Sequence, residues 1–125
     1  MRGVLLDTSI LIEFLRREDK LLTKLYRLSK DYQTLSISII SHTELYAGES
    51  PWKNREMRRN LESLLSNLTI IALTLEISKE AGRLRALNNL PTIDAIIAAT
   101  ALSENLPLVT LNSKDFKRVK KLKLL

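Results

Sequence analysis

Four acidic side chains stand at positions where they could hold a divalent cation. Asp7 follows the apolar run 4–6, Glu44 and Asp115 follow later apolar runs, and Asp94 lies in the first turn of a helical pattern. Carboxylates that are brought together repel one another unless a cation or protons are shared among them. The set includes no cysteine or histidine, and oxygen ligands alone suit a hard ion such as Mg²⁺ or Mn²⁺. The sequence therefore predicts a metal site, provided that the fold brings these acids together.

Each acid also has a local explanation in which it only stabilises the start of a helix. Asp7 precedes a helical pattern, where aspartate is a preferred N-cap. Glu44 lies three residues after Ser41, which is the spacing of a capping box. Asp94 lies just after a candidate cap at Thr92, where a carboxylate gains from the helix dipole. Capping accounts for each acid singly, but it does not explain why all of them should meet.

Short apolar runs alternate with helical patterns along the chain. The runs predict strands at Gly3–Leu6, Leu35–Ile39, Thr69–Leu73 and Leu108–Thr110, with a last edge strand at Leu122–Leu125. The patterns predict helices at Thr8–Arg17, Asp19–Asp31, Ser41–Ala47, Pro51–Asn67, Leu75–Asn88 and Thr92–Glu104. Proline is predicted to end the last two helices, each of which is followed by Asn-Leu-Pro.

This alternation favours an α/β fold with a parallel sheet that is covered by helices on both faces. Such sheets place their chemistry outside the carboxyl ends of the strands. Asp7, Glu44 and Asp115 all follow strands, so they are expected at that edge. The helix that begins near Asp94 runs antiparallel to the strands, which brings its start to the same edge.

The composition predicts one domain without a membrane span. The chain has 125 residues, of which 45% are hydrophobic and 27% are charged, and no cysteine. We expect a single domain over 1–125, with no disulfide, no thiolate metal site and no signal peptide, and hence a cytoplasmic location. The few aromatic residues (5%) do not predict stacking platforms for single-stranded nucleic acid.

A net charge of +6 is compatible with a polyanionic partner such as nucleic acid. The basic residues gather in two clusters, each of which is equally well explained as a solvated helix surface. The candidate RNA-binding residues are Lys53, Arg55, Arg58 and Arg59 in the first cluster, and Lys114 and Lys117 in the second.

Four stretches in order, "VLLDTSILIEFL", "SHTELYAG", "TIDAIIAATA" and "LVTLNSKDF", resemble the PIN domain, and specifically the VapC-type toxins of prokaryotic toxin–antitoxin pairs. The resemblance spans nearly the whole chain. It implies a three-layer α/β/α fold around a mostly parallel sheet of four to five strands. It also implies an endoribonuclease that depends on Mg²⁺ or Mn²⁺ and hydrolyses RNA phosphodiester bonds.

Carried over by position, the resemblance implies that Asp7, Glu44 and Asp94 are catalytic metal ligands. The fourth acidic position of the family falls in the segment that contains Asn112 and Asp115. Asp115 is expected to be catalytic, either as a weak ligand or as a residue that supports the ligands. Asn112 is a candidate direct ligand, and Ser9 is a candidate hydroxyl contact to the metal.

The resemblance further implies two protein partners, a second copy of this chain and a VapB-type antitoxin. The antitoxin is expected to place an arginine among the acids, and its groove is expected between the predicted helices Ser41–Ala47 and Pro51–Asn67. We expect His42 at the rim of the site rather than as a general base. Tyr46 and Trp52 are expected to pack between helices.

Two other functions remain open from the residues alone. One is a receiver-like signalling domain, which also has an acidic Mg²⁺ pocket but needs an aspartate at the end of a middle strand, where "TIIAL" has none. The other is a catalytically inactive domain that binds nucleic acid. A nucleotide hydrolase is not expected, because the chain has no phosphate-binding glycine loop.

Overall fold

A sheet of four parallel strands runs through the centre of the protein. The computed structural model describes residues 2–125. The strands are β1 (Gly3–Leu6), β2 (Thr34–Ser38), β3 (Thr69–Ile71) and β4 (Leu108–Val109), in the order β3-β2-β1-β4. All three pairings are parallel, which confirms the predicted sheet.

Eight α-helices surround the sheet in the part of the chain that the structure describes. They are α1 (Thr8–Arg16), α2 (Lys24–Asp31), α3 (Ile39–Ala47), α4 (Ser50–Lys53), α5 (Arg55–Leu65), α6 (Leu75–Asn88), α7 (Thr92–Glu104) and α8 (Ser113–Phe116). A 3-10 turn at Lys20–Leu22 precedes α2. No helix within residues 2–125 has both the length and the apolar character needed to cross a bilayer.

The helices form two layers, one on each face of the sheet. The side chains of β1 point alternately to the two faces, so they pack on both layers. Leu5 packs with residues of α6, α7 and α8. Val4 and Leu6 pack on the opposite face with residues of α1, α2, α3 and α5. All three side chains are completely buried, so β1 is the central strand of an α/β/α sandwich. This confirms the predicted fold class.

Two helices that the sequence predicts as continuous are each divided by a polar cap. Thr23 is fully buried and accepts a hydrogen bond from the Tyr26 N–H, so α2 begins after it and only a 3-10 turn forms before it. Asn54 has an extended backbone and accepts from the Met57 N–H, which separates α4 from α5. Local capping therefore overrides a helical pattern that is continuous in the sequence.

Several strand boundaries also differ from the prediction. Helix α3 already begins at Ile39, because the Ser38 hydroxyl caps it by accepting from the Ile40 N–H at 3.1 Å. Strand β3 stops at Ile71. The predicted last strand is reduced to a single bridge between Leu108 and Leu124.

Helices α6 and α7 both end at an asparagine rather than at the proline that follows. Asn89 and Asn105 adopt left-handed backbone conformations, with φ of 55° and 54°. Asparagine tolerates this conformation better than most residues and so serves as a C-cap. The proline two residues later precedes the next element directly, helix α7 after Pro91 and strand β4 after Pro107.

Candidate active site

Asp7 is fixed at the carboxyl edge of the sheet, directly after the central strand. Its backbone N–H donates to the Val109 carbonyl at 2.9 Å, which extends the pairing of β1 with β4 by one residue. The side chain is only 6% exposed. Its carboxylate is therefore held at the point where a parallel sheet of this kind usually places its chemistry.

The Asp7 carboxylate does not cap α1, so the capping explanation for this residue is wrong. Its Oδ2 atom instead accepts hydrogen bonds from the hydroxyls of Ser9, at 2.9 Å, and Thr110, at 2.7 Å. Each hydroxyl also accepts a backbone N–H, from Leu111 and Asn112 respectively. Two hydroxyls that are themselves anchored to the backbone thus fix the orientation of the carboxylate.

Glu44 lies in the middle of α3, so the predicted capping box with Ser41 is wrong as well. The helix begins five residues earlier, at Ile39, and Ser41 is completely buried inside its first turn. The Thr8 hydroxyl donates to Glu44 Oε1 at 2.5 Å and lies 2.8 Å from Ser41 Oγ. The next residue after Asp7 therefore orients the second acid.

Asp94 lies in the first turn of α7, as predicted, although the helix begins at Thr92 and the residue at its N-cap is Pro91. Partial burial raises the pKa of the Asp94 carboxyl to about 6, and the negative charges of Asp7, Asp115 and Glu44 contribute to this rise. Burial by itself raises the pKa of a carboxyl, and like charges raise it further when they lie near. The fold thus brings acids from four separate segments to one place.

Asp115, rather than Asn112, supplies the fourth charge. Asp115 lies in α8 and forms an ion pair with Arg118 at 3.2 Å. Its negative charge still contributes to the raised pKa of Asp94. The Asn112 side chain is exposed and makes no cap to α8. The backbone N–H of Asn112 donates to the Thr110 hydroxyl, and this hydrogen bond connects Asn112 to the site.

The donor set fits a hard divalent cation. Asp7 and Glu44 each use one carboxylate oxygen to accept from a hydroxyl, and no hydrogen bond to Asp7 Oδ1 or Glu44 Oε2 is present among residues 2–125. In the same range no buried side-chain nitrogen or oxygen lacks a partner, so these free oxygens open to solvent. Oxygen donors with uncompensated negative charge are what Mg²⁺ and Mn²⁺ prefer.

The acids are nevertheless not drawn into a closed cluster. Across the described chain, no three His, Asp or Glu side chains are gathered tightly enough to form a ready-made metal-binding group. Carboxylates of like charge repel one another, which opposes a closer approach in the absence of a cation. A bound cation would remove the repulsion, because it offsets the carboxylate charges.

The comparisons with known proteins agree with this geometry. Residues 4–122 match the PIN domain family. The chain belongs to the PIN domain family. It is 34% identical to Ribonuclease VapC of Rickettsia bellii over 98% of this chain and 95% of that protein. The predicted resemblance to VapC-type proteins is therefore confirmed.

Solved structures of toxin–antitoxin complexes have the same fold as this PIN domain. The chain is 32% identical to a chain of VapBC2 from Rickettsia felis bound to a DNA fragment from their promoter, with a TM-score of 0.82 over 100% of this chain and 98% of that chain. It is 30% identical to a chain of a toxin–antitoxin complex from Klebsiella pneumoniae, with a TM-score of 0.76 over 95% and 94% of the two chains.

Sequence reasoning missed two of the three hydroxyl residues at the site of this PIN domain, Thr8 and Thr110. Ser9 was predicted to contact a metal; its hydroxyl donates to Asp7, and the metal contact stays a prediction. The positions of the two threonines in the sequence were the available signal, because Thr8 directly follows Asp7 and Thr110 directly follows β4.

Of the remaining candidates, one stays a prediction and one is wrong. His42 is half-buried, its ring is tilted by 51° to that of Tyr46, and its position at the rim of the site stays a prediction. The expected packing of Trp52 between helices is wrong, because this side chain is 61% exposed.

The predicted RNA-binding residues lie on the surface. Lys53, Arg55, Arg59, Lys114 and Lys117 are exposed, and Arg58 is half-buried. Lys53 forms an exposed ion pair with Glu49 at 3.3 Å. Their role in binding RNA stays a prediction.

Proposed function

We propose that this PIN domain is an endoribonuclease that requires Mg²⁺ or Mn²⁺ and acts as the toxin of a toxin–antitoxin pair. The observation that carries the proposal is the placement of four acids from separate segments, Asp7, Glu44, Asp94 and Asp115, near the carboxyl edge of the sheet. Their charges add to the effect of burial in raising the pKa of Asp94. The name Ribonuclease VapC of its relatives supports the choice of RNA as substrate. Membership of the PIN family favours this function over the receiver-like alternative.

Asp7, Glu44 and Asp94 are the residues proposed to hold the cation, with Asp115 beside them. A bound Mg²⁺ or Mn²⁺ ion supplies Lewis acidity to a phosphate and lowers the pKa of a bound water. The free oxygens of Asp7 and Glu44 are accessible to solvent. Arg118 offsets part of the charge on Asp115 through their ion pair.

The hydroxyls of Thr8, Ser9 and Thr110 are proposed to position the ligands rather than to bind the cation. Each donates to a carboxylate oxygen of Asp7 or Glu44, leaving the other oxygen of that carboxylate for coordination. Such outer partners orient ligands and raise their basicity. This role explains why buried Thr8 is a threonine and not an aliphatic residue of the same size.

The antitoxin is proposed to occupy a groove between α1, α3, α4 and α5. The groove has a volume of about 330 Å³ and a mostly apolar lining that includes Leu15, Leu45, Met57 and Leu61. Glu44 lies in the lining too, so an occupant of the groove reaches one of the proposed metal ligands. An apolar segment that ends in a cation would fill the groove and pair with the acids, which would prevent metal binding.

A homodimer, carried over from the family, and a cytoplasmic location, predicted from the sequence, complete the proposal. Light scattering that found only monomers at micromolar concentration would contradict the dimer. The related complexes are described as toxin–antitoxin assemblies, which supports a protein partner of the VapB type.

The proposed activity is tested by incubating the purified protein with total RNA in Mn²⁺ or in EDTA, followed by mapping of the cut ends. We expect cleavage at defined single-stranded positions in Mn²⁺ and none in EDTA. Intact RNA in Mn²⁺, from a protein whose folding has been checked by circular dichroism, would show that the proposal is wrong.

A further inference from the structure

Three aromatic side chains line a shallow, open depression on α3 and α4. The ring of His42 lies 5.0 Å from that of Tyr46, and the ring of Tyr46 lies 5.7 Å from that of Trp52. These separations are typical of interacting aromatic pairs. The depression has a volume of about 510 Å³, and Thr43 and Ala47 complete its lining. We call it the aromatic surface.

Trp52 is exposed but held in place. Its indole N–H donates to the Tyr46 carbonyl at 2.7 Å, and its ring is tilted by 44° to the Tyr46 ring. Even so, 61% of the residue remains accessible to solvent. A large apolar ring that is fixed before a ligand arrives loses little conformational entropy on binding, so this arrangement favours recognition over core packing.

The sequence around Trp52 carries basic side chains together with two exposed glutamates, Glu49 and Glu56, of which Glu49 is paired with Lys53 at 3.3 Å. No acidic side chain is part of the lining. Arg55 and Arg59 lie on α5, close in sequence to Trp52, and neither forms an ion pair within residues 2–125. A second copy of a chain with net charge +6 would bring like charges towards these arginines. A single-stranded nucleic acid brings opposite charge together with flat π-faces.

The aromatic surface and the acid site share helix α3. Glu44 and Tyr46 are two residues apart, a rise of about 3 Å along the helix axis. Their side chains leave the helix on nearly opposite sides, so the two sites lie on either flank of α3. A strand that passes over the C-terminal end of α3 can therefore contact both.

We propose that the aromatic surface binds an unpaired base of single-stranded RNA, which stacks on Trp52. The inference rests on the proposed ribonuclease function for the identity of the nucleic acid. It departs from the sequence analysis, in which the small number of aromatic residues did not predict stacking platforms. Stacking is tolerant of sequence because every base has a π-face, so the surface would hold the strand rather than select a sequence.

Trp52 is the only tryptophan, so its fluorescence reports directly on this surface. The test titrates the protein in EDTA, which prevents cleavage, with a single-stranded oligoribonucleotide and with an abasic oligomer of the same length. We expect saturable quenching by the first and at least about 5-fold weaker binding of the second. Equal quenching by the two oligomers, or no quenching at all, overturns the proposal.

Variants test the same inference without the fluorescent reporter, by anisotropy of labelled RNA. Trp52→Leu is expected to weaken binding by about 5- to 100-fold, while Trp52→Phe retains most of the affinity. Leu75→Ala is the matched control, because Leu75 is 90% exposed on α6 and its loss should leave RNA binding unchanged. Thermal unfolding confirms that each variant is folded.

The remaining outcomes are distinguishable. If Trp52 emission shifts on dilution of the free protein, and Trp52→Leu disrupts a dimer but not RNA binding, the surface is an interface between copies and the inference is wrong. If the wild type binds RNA as expected but never cleaves it in Mn²⁺, the proposed ribonuclease fails while base stacking stands. If RNA is cleaved and Trp52→Leu binds it normally, only the stacking fails.

Discussion

Thr110 donates a 2.7 Å hydrogen bond to Asp7 Oδ2, although 103 residues separate the two in the chain. The Thr110 oxygen in turn accepts the Asn112 N–H at 2.9 Å, so its hydroxyl is held by the turn that follows β4. The orientation of the first acid therefore depends on the C-terminal part of the protein. This contact connects β1, the centre of the sheet, to the segment that carries Asp115.

Removal of the Thr110 hydroxyl should impair catalysis more than folding. Thr110→Val leaves one donor, Ser9, on Asp7 Oδ2, and the carboxylate gains freedom to rotate. Loss of such an outer partner typically costs 10- to 100-fold in metal affinity or activity. We expect a fall of about that size in kcat, with little change in KM for RNA. Thr110→Ser, which keeps the hydroxyl, should retain most of the activity; equal losses in the two variants would contradict the positioning role.

Replacement of Asp7 by asparagine should abolish the response to metal without unfolding the protein. The amide oxygen can still accept from Ser9 and Thr110, but the ligand charge is gone. Mn²⁺ should raise the Tm of the wild type and leave that of Asp7→Asn unchanged, since a ligand stabilises only the state that binds it. RNA cleavage should fall by at least about 100-fold, more than for loss of an outer partner.

The control for this experiment is Asp31→Asn, which removes an exposed carboxylate at the end of α2. It should behave as the wild type in both assays. A Tm of Asp7→Asn that still rises in Mn²⁺ would mean that the cation binds elsewhere.

The fold and the acids could be predicted from the sequence where the residue types of a segment have a single structural explanation. Val4–Leu6 is apolar without interruption because both faces of β1 are buried, so the central strand and its carboxyl end are evident before the structure is known. Asp7, Glu44 and Asp94 follow from the same sheet geometry. Asp115 could be found too, because it follows β4.

The contacts that orient those acids could not be found in this way. Threonine and serine occur commonly in turns and caps, so nothing in the sequence distinguishes Thr8, which bonds to Glu44, from Thr23, which caps a helix. The capping role assigned to Asp7 failed for a related reason. Its carboxylate has better donors in Ser9 and Thr110, and the second of these is brought close only by the pairing of β1 with β4.

Asp94 should make the metal-free protein less stable as the pH rises. The pKa of its carboxyl is about 6 in the folded protein, above its ordinary value of 3.8. Below the ordinary value the group is protonated in both the folded and the unfolded chain, and it carries no penalty. The penalty develops as the pH rises through 6, because the folded chain must then ionise a carboxyl next to Asp7, Asp115 and Glu44.

Asp94→Asn avoids this penalty, so the variant should be more stable than the wild type at about pH 7.5 and equal to it at about pH 4. The expected difference at the higher pH is about 1 kcal/mol in the free energy of unfolding, reduced from the full linkage value because the side chain is partly exposed. Urea unfolding in EDTA at the two pH values measures it. Glu62→Gln, an exposed acid on α5, is the control and should show no comparable gain.

The arginines of α5 should bind RNA phosphates through charge alone. Arg55 and Arg59 are exposed on α5, which follows the helix of Trp52, and Arg55 lies three residues after Trp52. Each phosphate contact on a single strand contributes about 0.7 to the slope of log Kobs against log salt concentration. The double variant Arg55→Gln, Arg59→Gln should therefore lower the slope by about 1.4 and weaken binding most at low salt.

The control is the double variant Arg27→Gln, Lys79→Gln, which removes the same charge from exposed positions on α2 and α6. An equal change of slope in this control would mean that RNA binding depends only on the net charge of the protein, and that the arginines of α5 do not contact RNA phosphates specifically.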